Sequence, residues 1–181
     1  MNQIIAEIDQ SDYEGYSDFL NIKIDCEWLD EKLESLYPGE MYKGTIPTLL
    51  FAMEIEAESK VVWKRILPDL NCKTICPVLM CPDDNDFSCT LIMAEIENTE
   101  QVIIWYRLGL DITKSWEPEK IGSEVKWFDK VSPYHFYKSD YLEMVKSFEQ
   151  QRIVDKADWI ERNKKWLEGE KNKKVSSGSE K

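Results

Sequence analysis

Apolar and polar positions alternate over two short stretches near the start of the chain. Ile4, Ala6 and Ile8 share one side of residues 3–8; Leu20, Ile22 and Ile24 share one side of residues 19–24, with Asn21 and Lys23 opposite. Alternation with period two predicts half-buried strands. Between them lies an acidic, turn-rich loop from Asp9 to Asp18. The period then lengthens to 3.6. Trp28, Leu29, Leu33, Leu36 and Tyr37 fall on one stripe, which predicts a helix from Asp25, as its N-cap, to Tyr37, with Pro38-Gly39 as the stop.

Two central segments have the same pattern. Residues 48–66 (TLLFAMEIEAESKVVWKRI) and 90–108 (TLIMAEIENTEQVIIWYRL) each hold an apolar run, a polar turn and a β-branched run ending in Trp-x-Arg. Each reads as a β-hairpin, and together they suggest two similar hairpins in one antiparallel sheet. Strand formers drawn from a small set also look alike without common origin.

The remainder is rich in tryptophan and proline. Val125 to Phe128 is a candidate edge strand, and the pieces around Trp116-Glu117-Pro118 and Ser132-Pro133-Tyr134 read as packed loops. From Ser139, a good N-cap, Leu142, Val145, Phe148, Ile153, Ala157, Ile160 and Leu167 keep a helical stripe. Asp158 and Glu161 allow a second cap, so a break near Gln151–Asp155 is expected. The fold class predicted is α+β: an antiparallel sheet built around two hairpins, a helix in the N-terminal half and a C-terminal helical segment. One domain is expected over residues 1–168, and a polar, frayed tail over 169–181.

Charge sharpens the picture. The chain of 181 residues carries a net −12, but unevenly: 25 acids against 10 bases over residues 1–125 leave −15, whereas 10 acids against 13 bases beyond leave +3. An acidic body disfavours nucleic acid and anionic membrane, both polyanions, and suits a positively charged protein. No apolar window approaches the ~18 residues of a membrane span, and the start MNQIIAEIDQ lacks the basic-then-apolar layout of a secretory signal. Five cysteines, an odd number, read as reduced thiols in a cytosol.

Candidate chemistry is sparse. Cys72, Cys76, Cys81 and Cys89 do not fall into the paired knuckles of a structural zinc site, and buried free thiols are the preferred reading. Asp83, Asp84 and Asp86 form the densest acidic loop, but Cys89 stands where a calcium loop needs glycine, and Glu95 falls in a predicted strand. His135, the only histidine, lies in Pro-Tyr-His-Phe-Tyr and is expected to be packed rather than catalytic. There is no Gly-x-Ser-x-Gly elbow and no glycine-rich phosphate loop. No cofactor or metal is expected. Trp63 and Trp105 are expected in the core, while Trp116, Tyr134, Tyr137, Tyr13 and Tyr16 sit in loops beside acids, a composition suited to holding a basic surface.

Over residues 76–136 the chain resembles the small acidic immunity proteins of bacterial polymorphic-toxin and contact-dependent inhibition systems. The resemblance rests on Asp83-Asp84-x-Asp86 with the strand that follows, Gly109-Leu110-Asp111 and Trp127-Phe128. It implies a cytosolic, non-enzymatic protein that binds a cognate toxin domain, often a nuclease, and occludes it. A nuclease cleft must hold a polyanion and is therefore basic, the natural complement of an acidic inhibitor. The expected contact residues are Asp83, Asp84 and Asp86, with Asp12, Glu14, Glu117 and Glu119 as further candidates, in a protein that is monomeric when free. The rival readings are a small metal-dependent or carboxylate-using hydrolase built around Cys72–Cys89 or His135, and a scaffolding subunit with an acidic face.

Overall fold

The computed structural model describes the backbone of residues 1–10, 18–53 and 55–177, and the side chains of those residues up to 165. The class is α+β, with antiparallel sheets of hairpin-type strands and a C-terminal helix. Among the described residues, no helix is long and apolar enough to cross a membrane.

The alternating N-terminal stretches form β1 (Ile4–Asp9) and β2 (Phe19–Ile24), paired antiparallel from Ile4↔Ile24 to Asp9↔Phe19. A two-residue β3 (Glu27–Trp28) completes a three-stranded sheet. Leu20, Ile22 and Ile24 are buried as expected. Asn21, expected to face out, is buried too. Its amide donates to Asp9 (3.0 Å) and its side-chain oxygen accepts the Ile22 N–H (2.7 Å), so its polar atoms are satisfied.

The first helix, α1 (Leu29–Leu36), is shorter than predicted, because residues 27 and 28 are spent on β3 and Trp28 occupies the N-cap position. Asp25 does not cap it. That residue has φ +51°, and its carboxylate accepts the Asn2 side-chain amide and the Gln3 N–H, tying the chain start to the β2–β3 turn.

The larger sheet follows the order β4 (Ile46–Pro47), β5 (Cys72–Met80), β6 (Leu91–Asn98), β7 (Val102–Asp111), β8 (Val125–Trp127), and β9 (Tyr134–Tyr137) also pairs with β7. The predicted hairpin at 90–108 is β6–β7. The hairpin predicted at 48–66 is not formed: residues 56–65 are a helix, α2 (Glu56–Arg65). Its acids Glu56 and Glu58 stand in the first turn and its bases Lys64 and Arg65 in the last, each favoured by the helix dipole, and Glu56 pairs with Lys60 one turn on. Val61 and Val62 are buried on one helix face rather than along a strand. The similar segments therefore take different folds, and Trp63 is a half-buried helical residue. Residues 134–137, read as a packed loop, form β9.

The third helix, α3 (Lys138–Ser177), is continuous through 151–155, where a break was expected. Ser139 does not cap it; its hydroxyl pairs with Asp140. The helix seats only its first turns in the core, through Tyr141, Met144 and Phe148. Leu142, Ile153, Ala157 and Ile160, placed on the apolar stripe by periodicity, are exposed. Trp105 lies edge-on to Phe136 (centroids 5.6 Å) and Tyr141 (6.2 Å). Its indole N–H donates to the Tyr141 hydroxyl (3.3 Å), which donates to the Ile66 carbonyl (2.8 Å). This chain of bonds lets two large aromatics be fully buried without unpaired polar atoms.

Candidate functional site

The acidic loop joins β5 to β6, two of the long central strands, so its base is fixed by the sheet. The Cys81 N–H donates to the Thr90 carbonyl (2.9 Å) just beyond the Met80↔Leu91 pair. Within the loop, Asn85 takes φ +52° and the Asp86 carboxylate accepts the Ser88 N–H (2.7 Å), which turns the chain back. From outside, Glu58 of α2 accepts the Phe87 N–H (2.9 Å), and Phe87 packs against the core. Glu58 is itself buried, and burial, reinforced by the neighbouring Asp86 charge, raises its pKa against the pull of the Phe87 amide.

A second loop, between β7 and β8, lies against the first. The Asp111 carboxylate accepts the Thr113 hydroxyl (2.8 Å) and the Gly122 N–H (3.0 Å), and Ser115 accepts the Glu117 N–H (3.2 Å). A turn of 3₁₀ helix follows at Pro118–Lys120. Arg65, at the end of α2, donates to three carbonyls: Ile75 on β5 (3.2 Å), Glu119 (2.7 Å) and Ile121 (2.7 Å). One guanidinium thus binds the helix, the sheet edge and the loop together.

Where the loops meet they enclose a groove of about 210 Å3 lined by Glu58, Asp86, Phe87, Trp116, Glu117 and Pro118, among others. Trp116 is 92% exposed at its rim, an unusual state for the largest apolar side chain. Of the sequence-predicted contact residues, Asp86 and Glu117 line this groove. Asp83 and Asp84 are exposed on the same loop. Glu119 is exposed on the second loop, outside the groove's lining, with its carbonyl on Arg65. Lys120 pairs with Glu117 (2.6 Å), so the face is not uniformly acidic. Asp12, Glu14, Tyr13 and Tyr16 lie outside the described residues. Trp116 is in a loop as expected, whereas Tyr134 and Tyr137 are strand residues of β9.

Sequence reasoning missed Glu58 and Arg65, because both were assigned to a hairpin. The Glu56-x3-Lys60 spacing, with acids leading and bases trailing, was the available signal for a helix there.

The cysteines separate. Cys76 is buried, and burial pushes its thiol pKa well up, whereas Cys72 and Cys89 are exposed and Cys81 is half-buried, against the expectation of buried thiols at all four; Cys26 is exposed as well. Cys72 and Cys81 stand at opposite ends of β5, roughly 30 Å apart at ~3.3 Å per residue, which precludes a four-cysteine site. The thiols of Cys81 and Cys89 and the carboxylate of Asp84 do converge, their ligand atoms all within 4.8 Å of one another. Burial, then hydrogen bonding with Cys81, hold the Cys89 thiol above its usual pKa.

His135 is exposed on β9 rather than packed, opposite Ile104 of β7. The acidic loop springs from the other end of that ladder, near Leu110. About six strand residues, or roughly 20 Å, lie between them, so His135 and Asp83–Asp86 do not share a site.

A larger cleft of about 590 Å3 lies between the β1–β2 end, residues 50–52 and α3. Its charges are mixed: Asp18, Asp155, Asp158 and Glu161 face Arg162 and Lys165, with Glu161 and Lys165 paired at 2.7 Å. Comparison of the chain with family models, with curated proteins and with solved structures found no match.

Proposed function

We propose that the protein is a cytoplasmic immunity protein that binds a cognate toxin domain, a nuclease with a basic cleft, and blocks it by 1:1 occlusion. The observation that carries this reading is the groove where Asp86 and Glu117, 31 residues apart in sequence, meet beside the exposed Trp116. An exposed tryptophan offers a large apolar contact at small entropic cost, and carboxylates around it pair with Lys or Arg and speed encounter. The walls are pre-set by Glu58 and Arg65, so little ordering is left to do on binding.

The test is co-expression with the toxin domain encoded beside it, followed by binding kinetics on the purified pair. Trp116→Ala and the triple reversal Asp83→Lys, Asp84→Lys, Asp86→Lys should each raise the dissociation rate, the triple by orders of magnitude, and association should slow with added salt. Unchanged affinity in both variants rejects this face.

A hydrolase reading also has support: the Cys81–Asp84–Cys89 cluster offers metal ligands, and Glu58 is a buried carboxylate with a raised pKa at a groove. It ranks second because the Glu58 carboxylate already holds a backbone amide. Turnover of phosphodiester or ester substrates by the metal-loaded protein, lost in Glu58→Gln, would reverse the order.

A further inference from the structure

The spacing Cys81-x2-Asp84-x4-Cys89 places three metal-ligating side chains on one short loop, and the sheet closes that loop at its base. We propose that Cys81, Asp84 and Cys89 form a three-ligand site for a thiophilic divalent cation, zinc foremost, with the fourth position open to solvent.

The donor set selects the metal. Two thiolates and one carboxylate suit zinc, whereas calcium and magnesium take oxygen ligands only. The gap between Cys81 and Asp84 is that of a zinc knuckle with a carboxylate in the second place. Tetrahedral zinc, with sulfur at ~2.3 Å, needs the two sulfurs about 3.8 Å apart. All three ligand atoms already lie within 4.8 Å of one another, so closure needs shifts on the order of an ångström. Asp84 and Cys89 are exposed and can make those shifts by side-chain rotation. Asp86 is not a ligand in this arrangement, because its carboxylate is engaged by the Ser88 amide. Binding would release the two thiol protons to solvent and leave the metal fastening the loop that presents Asp83 and Asp86. The site stands whether or not that face meets a toxin.

Cobalt(II) is the probe for the test, added anaerobically to the reduced, chelator-stripped full-length protein. A 1:1 titration should develop the sulfur-to-cobalt charge-transfer band and tetrahedral visible bands, and zinc should abolish both. Cys81→Ser and Cys89→Ser should each weaken binding at least tenfold, and Asp84→Asn should weaken it while the charge-transfer band persists. Cys26→Ser and Cys72→Ser should change nothing. In parallel, zinc should protect Cys81 and Cys89 from alkylation, with exposed Cys26 and Cys72 as reactive controls within the same chain. That second measurement needs no variant to fold. Absence of a 1:1 charge-transfer band overturns the site, as does equal alkylation of all four thiols. A protein purified two hydrogens lighter, with Cys81 and Cys89 joined and no metal taken up after reduction, overturns it in favour of a disulfide.

Discussion

The backbone amide of Phe87 donates to the buried carboxylate of Glu58 at 2.9 Å, fastening the acidic loop to the first turn of α2. The bond runs between residues 29 positions apart and sets where Asp86 stands in the groove.

Glu58 also gives a pH signature. Its folded pKa is raised above the ordinary 4.5, first by burial, so the folded chain holds this proton more tightly than the unfolded chain does. Stability therefore falls as pH rises from about the ordinary carboxylate value through the raised one, and is level above it. Glu58→Gln, which keeps an acceptor for Phe87, should be more stable than the wild type at pH 7, and the gap should close near pH 4. Asp30 has the same sign: burial raises its pKa, one oxygen takes the Gly44 N–H (2.8 Å), and the other is buried without a partner. Asp30→Asn should behave alike. Urea midpoints at the two pH values decide, and a gap that widens on acidification would reject the assignment.

Arg65 should be irreplaceable by lysine. Its two terminal nitrogens reach three carbonyls on two different segments, a spread that an ammonium at the end of a flexible stem does not reproduce. Arg65→Lys should leave the sheet intact but loosen residues 112–121, seen as faster protease cleavage there and a stability loss of about 1–3 kcal/mol. Cleavage as slow as in the wild type would show that the loop holds itself.

Gly109 should tolerate no side chain. A Cβ there would stand 2.7 Å from the Lys126 carbonyl oxygen and 2.9 Å from Cα of Trp127, both backbone atoms of β8. Gly109→Ala should cost about 1–3 kcal/mol in chemical denaturation and free β8 to exchange its amide protons. A variant of wild-type stability would mean that β8 shifts at no cost.

Elements that keep one period and pack on one face were legible in the sequence: β1, β2, the β6–β7 hairpin and the entry of α3. The segment 56–65 was misread because Val61, Val62 and Trp63 are strand formers by propensity, and tertiary burial on a helix face overrode that preference. The stripe of α3 was over-read beyond Phe148, because periodicity reports an apolar face but not whether anything covers it. Asp83, Asp84 and Glu117 were legible as exposed acids, and the half-buried Asp86 as their loop neighbour. Their meeting with Trp116 and Glu58 was not, since the groove joins segments that only the fold brings together. The convergence of Cys81 and Cys89 follows from hairpin closure, but the part played by Asp84 depends on how the loop turns at Asn85.

The same Arg65 contact bears on how anything could attach to the larger sheet. Strands at a sheet border commonly recruit an extended peptide from another chain through their unused backbone groups. Along the outer side of β5 that opening is closed. The carbonyl of Ile75 is taken by Arg65, those of Pro77 and Val78 are taken by Thr48, and Pro77 has no N–H to give. β4 at that border is only two residues long, and the opposite border is divided between β8, of three residues, and β9, of four. A visiting strand would find no continuous ladder to extend on that side, so recognition there must pass through side chains, and specificity can be rewritten one surface residue at a time without disturbing the sheet.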